Sequence, residues 1–362
     1  MASTKFIIDI LKEVIVVERL QTLKGNIQKW FTIPNREKSS HMTAFQAIVR
    51  KEFTDYITSW RIIILLLIIT FTCIGSLYTA ITNIQDALDA AAEETKEVAR
   101  SAFLFLKLFT ISDGTLPSFI TFVGFLGPLL GVALGFDAIN SERNKGTLSR
   151  LMAQPIPRDF VLNGKFAAAL LINALLFFAL GFLVMSFGIL ILGIPPTLEE
   201  FLRIICFLIL CIAYIAFWLN LGILFSVRFK QAATSALASI AIWIFFSLFY
   251  SMLVELLSKS ILNPENIAST SDAISKQGLV LNLMRISPNY LFTESTTTLM
   301  SPSVRSLGPL TVEQTTGAIA GPLPLSQSLL LIWPQLTGLI AATLVCFALS
   351  YLLFMRQEVR SK

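Results

Sequence analysis

DAINSERNKGTLSRLMAQPIPRDFVLNGK, residues 137–165, is a charged, turn-rich island between two long apolar runs. A connector between two helices needs only a few turn residues. Here acids and bases alternate as Glu142-Arg143-Asn144-Lys145, and Gly146 and Thr147 follow as a turn and helix-cap signal. Leu148, Leu151 and Met152 mark a short amphipathic turn, Pro155 and Pro157 end it, and Arg158 to Lys165 lead back into apolar sequence. The pattern is that of a docking element for a soluble partner.

Composition sets the class around this island. Of 362 residues, 55% are hydrophobic and 14% charged, and the mean hydropathy is +0.73. That composition belongs to an all-α integral membrane protein. The excess of 28 Lys and Arg over 23 Asp and Glu would suggest nucleic acid in a soluble chain. In a membrane protein the placement of the charges matters more than their sum, and no nucleic-acid partner is expected. Cys73, Cys206, Cys211 and Cys346 all lie inside apolar runs, with no Cys/His cluster, so neither disulfides nor a metal site is indicated.

Six apolar runs are long enough to cross about 30 Å of hydrocarbon at about 1.5 Å per residue. They cover residues 62–82, 119–136, 166–193, 203–226, 232–257 and 329–354. Twenty of the 28 basic residues fall in 1–61, 137–165, 227–231 and the tail after 354. The positive-inside rule then places both termini and the 137–165 loop in the cytoplasm, in a plasma membrane. Residues 1–41 read as an amphipathic extension, either native or left from a fusion, and residues 42–61 as a second amphipathic helix. In the latter Phe45, Ile48, Phe53, Tyr56, Ile57 and Trp60 share one side while Arg50, Lys51, Glu52 and Asp55 fill the others. Such a helix lies along the membrane interface, although packing on a soluble partner fits the same pattern.

Two longer connections, 83–118 and 258–328, fall on the outer side. The first carries Phe103 to Leu106, too short to cross and so interfacial or re-entrant. The second is rich in Pro, Ser and Thr, with short helices expected at the outer mouth and room for an outer-side partner. Span 2 carries Gly127, Gly131 and Gly135 on one helix face, with Gly124 and Pro128 beside them. These residues suit either an adjustable helix near a permeation path or plain tight packing.

No P-loop is present: Gly164-Lys165 has Asp159 where the first glycine should stand, and Phe166 follows. Ionisable residues are missing from the middle of all six spans, which argues against an ion-coupled carrier. Asn173 and Asn220 are the notable polar residues within spans and suit hydrogen bonds between helices.

The residues Glu142, Gly146, Thr147, Leu148, Gln154, Pro155, Arg158, Gly164 and Lys165 follow a pattern that resembles ABC-2 type permeases, the NosY-like branch in particular. The resemblance runs from about Met42 to the end and includes Ser287-Pro288 and Phe292 before the last span. It implies six transmembrane helices, an interfacial elbow before the first, and a cytoplasmic coupling helix in the 137–165 loop. It also implies a non-enzymatic permease subunit of an exporter, paired with a second copy, identical or homologous. Two ABC ATPase subunits would dock on the loop and carry the ATP and Mg, with no cofactor in this chain. Coupling would fall to Glu142, Arg143, Lys145, Gly146, Thr147, Leu148, Leu151, Pro155 and Arg158, with Arg158 and Lys165 anchoring the loop to lipid phosphates. The alternative is a membrane scaffold that couples an ATPase to an outer-side partner without classical transport.

Overall fold

The computed structural model describes residues 40–90, 103–112, 116–148, 157–193, 195–261, 270–302 and 322–356. The helix expected over 1–41, Leu151, Met152 and Pro155 of the charged loop, and the tail beyond Arg356 lie outside them. The chain divides into Met1–Ala44, described only where a helix begins at Ser40, and Phe45–Lys362, which holds everything below. No strand occurs among the described residues.

Helix α1 (Ser40–Thr58) gives way to α2 (Trp60–Ala90) across the single residue Ser59, and α3 (Leu104–Thr110) and α4 (Phe119–Gly135) follow. A turn at 136–139 leads into α5 (Asn140–Asn144). Then come α6 (Arg158–Leu192), α7 (Leu198–Arg228) and α8 (Ala232–Ile244). A π-helical turn (Phe245–Phe249) joins α8 to α9 (Tyr250–Ile261) as one rod. The remainder is α10 (Thr270–Met284), α11 (Pro288–Met300) and α12 (Leu325–Met355). Six segments of 26 to 34 residues are long and apolar enough to cross a membrane, and they are spans 1 to 6 below. Each extends past its apolar run at one end or both, spans 2 and 5 at the far end alone and span 3 only at its start, because the helices continue into polar sequence. This is an all-α, multi-pass membrane protein.

Span 4 (α7) is the axis. In its most apolar stretch 72% of residues are buried, against 17% in spans 5 and 6. It packs on α4 and α12, and Phe207, Tyr214 and Trp218 are fully enclosed. Glycine sets the approach of α4. A Cβ on Gly131 would stand 2.8 Å from the Ile215 carbonyl oxygen, and one on Gly135 only 2.5 Å from that of Leu219. Close packing of helix backbones needs small residues on the facing stripe. The glycines of span 2 thus serve tight contact with span 4, one of the two roles open from the sequence. Gly124 differs, facing the ring of Phe292 at 3.5 Å.

The end of the bundle opposite residues 137–148 is capped by α3, α10 and α11. Helix α3 is sunk in the core, with Phe109 edge-on to Phe119 and Phe207. Glu200 fixes two elements at once. One oxygen completes the capping box of α7 with Thr197, and the other accepts the Phe105 N–H at 3.0 Å. Arg203 lies one turn inside α7, fully buried. Its guanidinium donates to the carbonyls of Leu299, at 2.7 Å, and Leu323, and pairs with Glu199 at 2.9 Å. It therefore ties the start of α7 to the end of α11 and to the residues before α12. The amides of Asn173 and Asn220 are fully buried and bond to nothing among the described residues, so the interhelical bonds expected of them are not formed.

Candidate functional site

The charged loop begins where span 2 ends, and its first residues are docked on span 4. Ser226 Oγ accepts the N–H groups of Ile139 and Asn140 at 2.9 and 3.2 Å. The Asn140 amide, correctly oriented, reaches the Phe229 carbonyl at 2.7 Å. Asp137 holds Arg61 at the start of span 1 at 2.7 Å, and the Arg61 guanidinium sits 5.7 Å from the centre of the Phe136 ring. Gly146 takes φ +68°, with open space around a Cβ, so it is needed for the left-handed turn rather than for a close approach.

Beyond the turn the chain builds a cluster of two acids and two bases. Lys165, 3% exposed, lies 2.7 Å from Glu52 Oε2 and 3.6 Å from Glu142 Oε1. Lys51 bridges the same two carboxylates, at 3.0 Å from Glu52 and 2.7 Å from Glu142. Thr147 Oγ1 donates to the second Glu142 oxygen. Burial works against the Lys51 ammonium, but the hydrogen bond to Glu142 and the charge of Glu52 outweigh it and raise its pKa above the usual lysine value.

Helix α1 reaches this cluster because its inner face is shaped for span 3. Phe45 stands edge-on to Phe160 at 5.6 Å, and Phe53 packs with Ala168 and Ile172. A Cβ on Gly164 would lie 2.7 Å from Ile48 Cγ2, so the glycine of the Gly164-Lys165 pair is the seat on which α1 rests. Tyr56 donates to the Leu134 carbonyl at 3.0 Å. Helix α1 is thereby fastened to spans 2 and 3 at once.

Several expected placements change. Glu142 was expected at the joint with a soluble partner, but it is 9% exposed and turned inward to Lys51, Lys165 and Thr147. Lys165 was expected to meet lipid phosphate and instead meets Glu52, because a lysine this buried requires a carboxylate. Leu148 is buried in the main core rather than held out for a groove. Glu52, assigned to the polar sides of α1, is 6% exposed. It stands four residues after Ile48 and four before Tyr56, a spacing that puts it on their face. Ile57 and Trp60 leave that face and are exposed. Asn144, Lys145 and Gly146 form an exposed tip, Arg143 and Thr147 are half-buried, and Arg158 is exposed.

The fold and this site define a multi-pass membrane protein in which residues 137–148, α1 and the ends of spans 2 and 3 are bound together. The chain belongs to the ABC-2 family of transporter proteins, whose model matches residues 46–359. Over 152 residues it is 30% identical to a Pseudomonas aeruginosa protein described as a probable ABC transporter permease, NosY. That match takes in 40% of this chain and 52% of the other, so the chain spans about half the length of that curated relative.

Proposed function

We propose that this chain is the permease subunit of an ATP-driven exporter. A separate ABC ATPase, carrying the ATP and Mg, docks on the 137–165 loop at the cytoplasmic face of the plasma membrane. Two permease copies, each with its ATPase, enclose one pathway, and the cap end faces outward. The observation that carries this reading is the cluster beneath an exposed tip in which Glu52, Glu142 and Lys165 are buried and the half-exposed Lys51 bridges both acids. A force applied at Asn144–Gly146 reaches span 2 directly and span 3 through Lys165, with little play between. Coupling then divides into two tasks. Lys145 and Arg143 meet the partner, Leu151 packs against it and Pro155 sets the exit angle, while Glu142, Thr147 and Leu148 hold the start of the loop rigid and Arg158 anchors it at the bilayer.

The test separates the tip from its support. Lys145→Glu reverses a charge on an exposed residue and should leave the unfolding temperature of the purified permease unchanged within error. ATPase recovered with the permease on affinity purification should fall several-fold, as should stimulated hydrolysis. Wild-type recovery of the ATPase with Lys145→Glu would place the docking surface elsewhere.

Orientation is tested independently. Cysteines introduced for Lys145 and Thr293, both exposed, should react with an impermeant maleimide from opposite faces, Thr293→Cys in intact cells and Lys145→Cys only once the membrane is permeabilised. Reaction of both from one face overturns the topology.

A further inference from the structure

Asn289, in the first turn of α11, lies between a fixed and an adjustable element. On the fixed side the Tyr214 hydroxyl lies 2.7 Å from Asn289 Oδ1 and 3.0 Å from the Gly124 carbonyl oxygen. The Tyr214 ring stacks on Phe292 at 4.2 Å and 13°. Tyr214 is fully enclosed in span 4, the most buried span. On the other side Asn289 Nδ2 donates to Ser247 Oγ, in the middle of the π-helical turn of span 5. Two residues beyond that turn's leucine, Tyr250 donates to the Leu283 carbonyl at the end of α10, at 2.6 Å. Helices α10 and α11 of the cap are thus both tied to span 5, at and just beyond its π turn.

A π turn holds one residue more than the α-helix can place. Its return to α-helical pairing turns the segment beyond it by about 100°, the angle of one residue. Span 5 has room for this, because only 17% of its apolar stretch is buried. The same movement carries Ser247 away from Asn289.

We propose that Asn289 is the positioning residue of a gate at the cap end, holding α11 shut between Tyr214 and the π turn of span 5. The gate opens when Ser247 leaves Asn289. This rests on the permease reading, in which the cap end must open, yet it is tested on the isolated chain.

Thr296 is fully buried and shares the helix face of Asn289 and Phe292. Ser350 is equally buried, at the far end of span 6. In the full chain with its four cysteines replaced, Thr296→Cys and Ser350→Cys are each labelled with a water-soluble maleimide in detergent. Adding Asn289→Ala or Ser247→Ala should raise labelling at Thr296→Cys about tenfold, the effect of losing one buried hydrogen bond. Labelling at Ser350→Cys should not move. Ser247→Thr, which keeps the hydroxyl, should preserve protection. Unchanged labelling in both alanine variants overturns the proposal, as does an equal rise at Ser350→Cys or a Ser247→Thr chain as open as Ser247→Ala. Where the chain is assembled with an ATPase that hydrolyses ATP, ATP should raise labelling at Thr296→Cys, and no response there removes the gate. Failure to recover any ATPase counts against the proposed function and leaves the isolated-chain result to decide the latch.

Discussion

Lys165→Ala is expected to destabilise the folded chain by about 3–5 kcal/mol, the cost of removing one partner from a buried ion pair. The ammonium is 2.7 Å from Glu52 and 3.6 Å from Glu142, and its side chain is 4% exposed. Without it, the one base that the two carboxylates share among the described residues is Lys51, whose side chain is 46% exposed and also faces Asp55 at 3.3 Å. The carboxylates cannot move to water, because Ile48 sits on Gly164 and Phe53 on Ala168 and Ile172. A second variant isolates charge from volume. Lys165→Met with Glu52→Gln removes opposite charges while keeping both side chains long, and should recover most of the loss, since neutral replacements of buried pairs are often tolerated. Chemical unfolding of the purified chain in mild detergent reads both. A Lys165→Ala loss under about 1 kcal/mol, the range of an exposed pair, would show that water reaches the cluster.

The membrane fold was legible because the bilayer constrains sequence simply: a span must be apolar and long, and six such runs were evident. The candidate site was legible in position but not in assignment. The charged loop stood out, yet an alternation such as Glu142-Arg143-Asn144-Lys145 does not say which side chains turn inward. Glu142 does so because Lys51, 91 residues earlier, lies within 2.7 Å. One signal was available. Glu52 falls on the stripe of Ile48 and Tyr56, and an acid on an apolar stripe implies a buried cation. The Gly164-Lys165 pair supplies both the seat for Ile48 and that cation.

Helix α11 was harder to read, and for a physical reason. Its sequence PNYLFTESTTTLM is polar enough to suggest a surface, and short helices at the outer mouth were the expectation. Ser295, Thr296 and Thr298 are nevertheless fully buried. Each hydroxyl donates to the carbonyl four residues earlier, at 2.7 to 2.9 Å, so their polarity is spent within the helix. Glu294 is neutralised by Arg285 at 2.8 Å and accepts from Gln335 at 3.0 Å. The hydrogen bond with Glu294 in turn raises the pKa of Arg285 further. A window of sequence cannot distinguish these inward bonds from bonds to water.

Gly135→Ala should be the most damaging single methyl group that can be added to span 2. Its Cβ would fall 2.5 Å from the Leu219 oxygen and 2.9 Å from the Ile223 nitrogen. Both are backbone atoms of the most buried span and cannot rotate away. Helices α4 and α7 must then part along a stripe where Gly131 already meets Ile215 and Leu219. Inserting a methyl group into a well-packed core typically costs about 1–3 kcal/mol, and rigid backbone on the far side puts this case at or above the upper figure. The wedge also reaches the loop, because Asp137 with its bond to Arg61, and Ile139 and Asn140 with theirs to Ser226, follow within five residues. Gly124→Ala is the control on the same helix. Its Cβ would meet only the Phe292 ring, at 3.5 Å, an ordinary contact. It should be neutral or stabilise by up to about 1 kcal/mol, through alanine's helix preference. Unfolding of the two variants side by side decides the matter. If Gly135→Ala proved as stable as Gly124→Ala, spans 2 and 4 would have room between them, and the tight seat of α4 on span 4, with the loop docked beside it, would have to be abandoned.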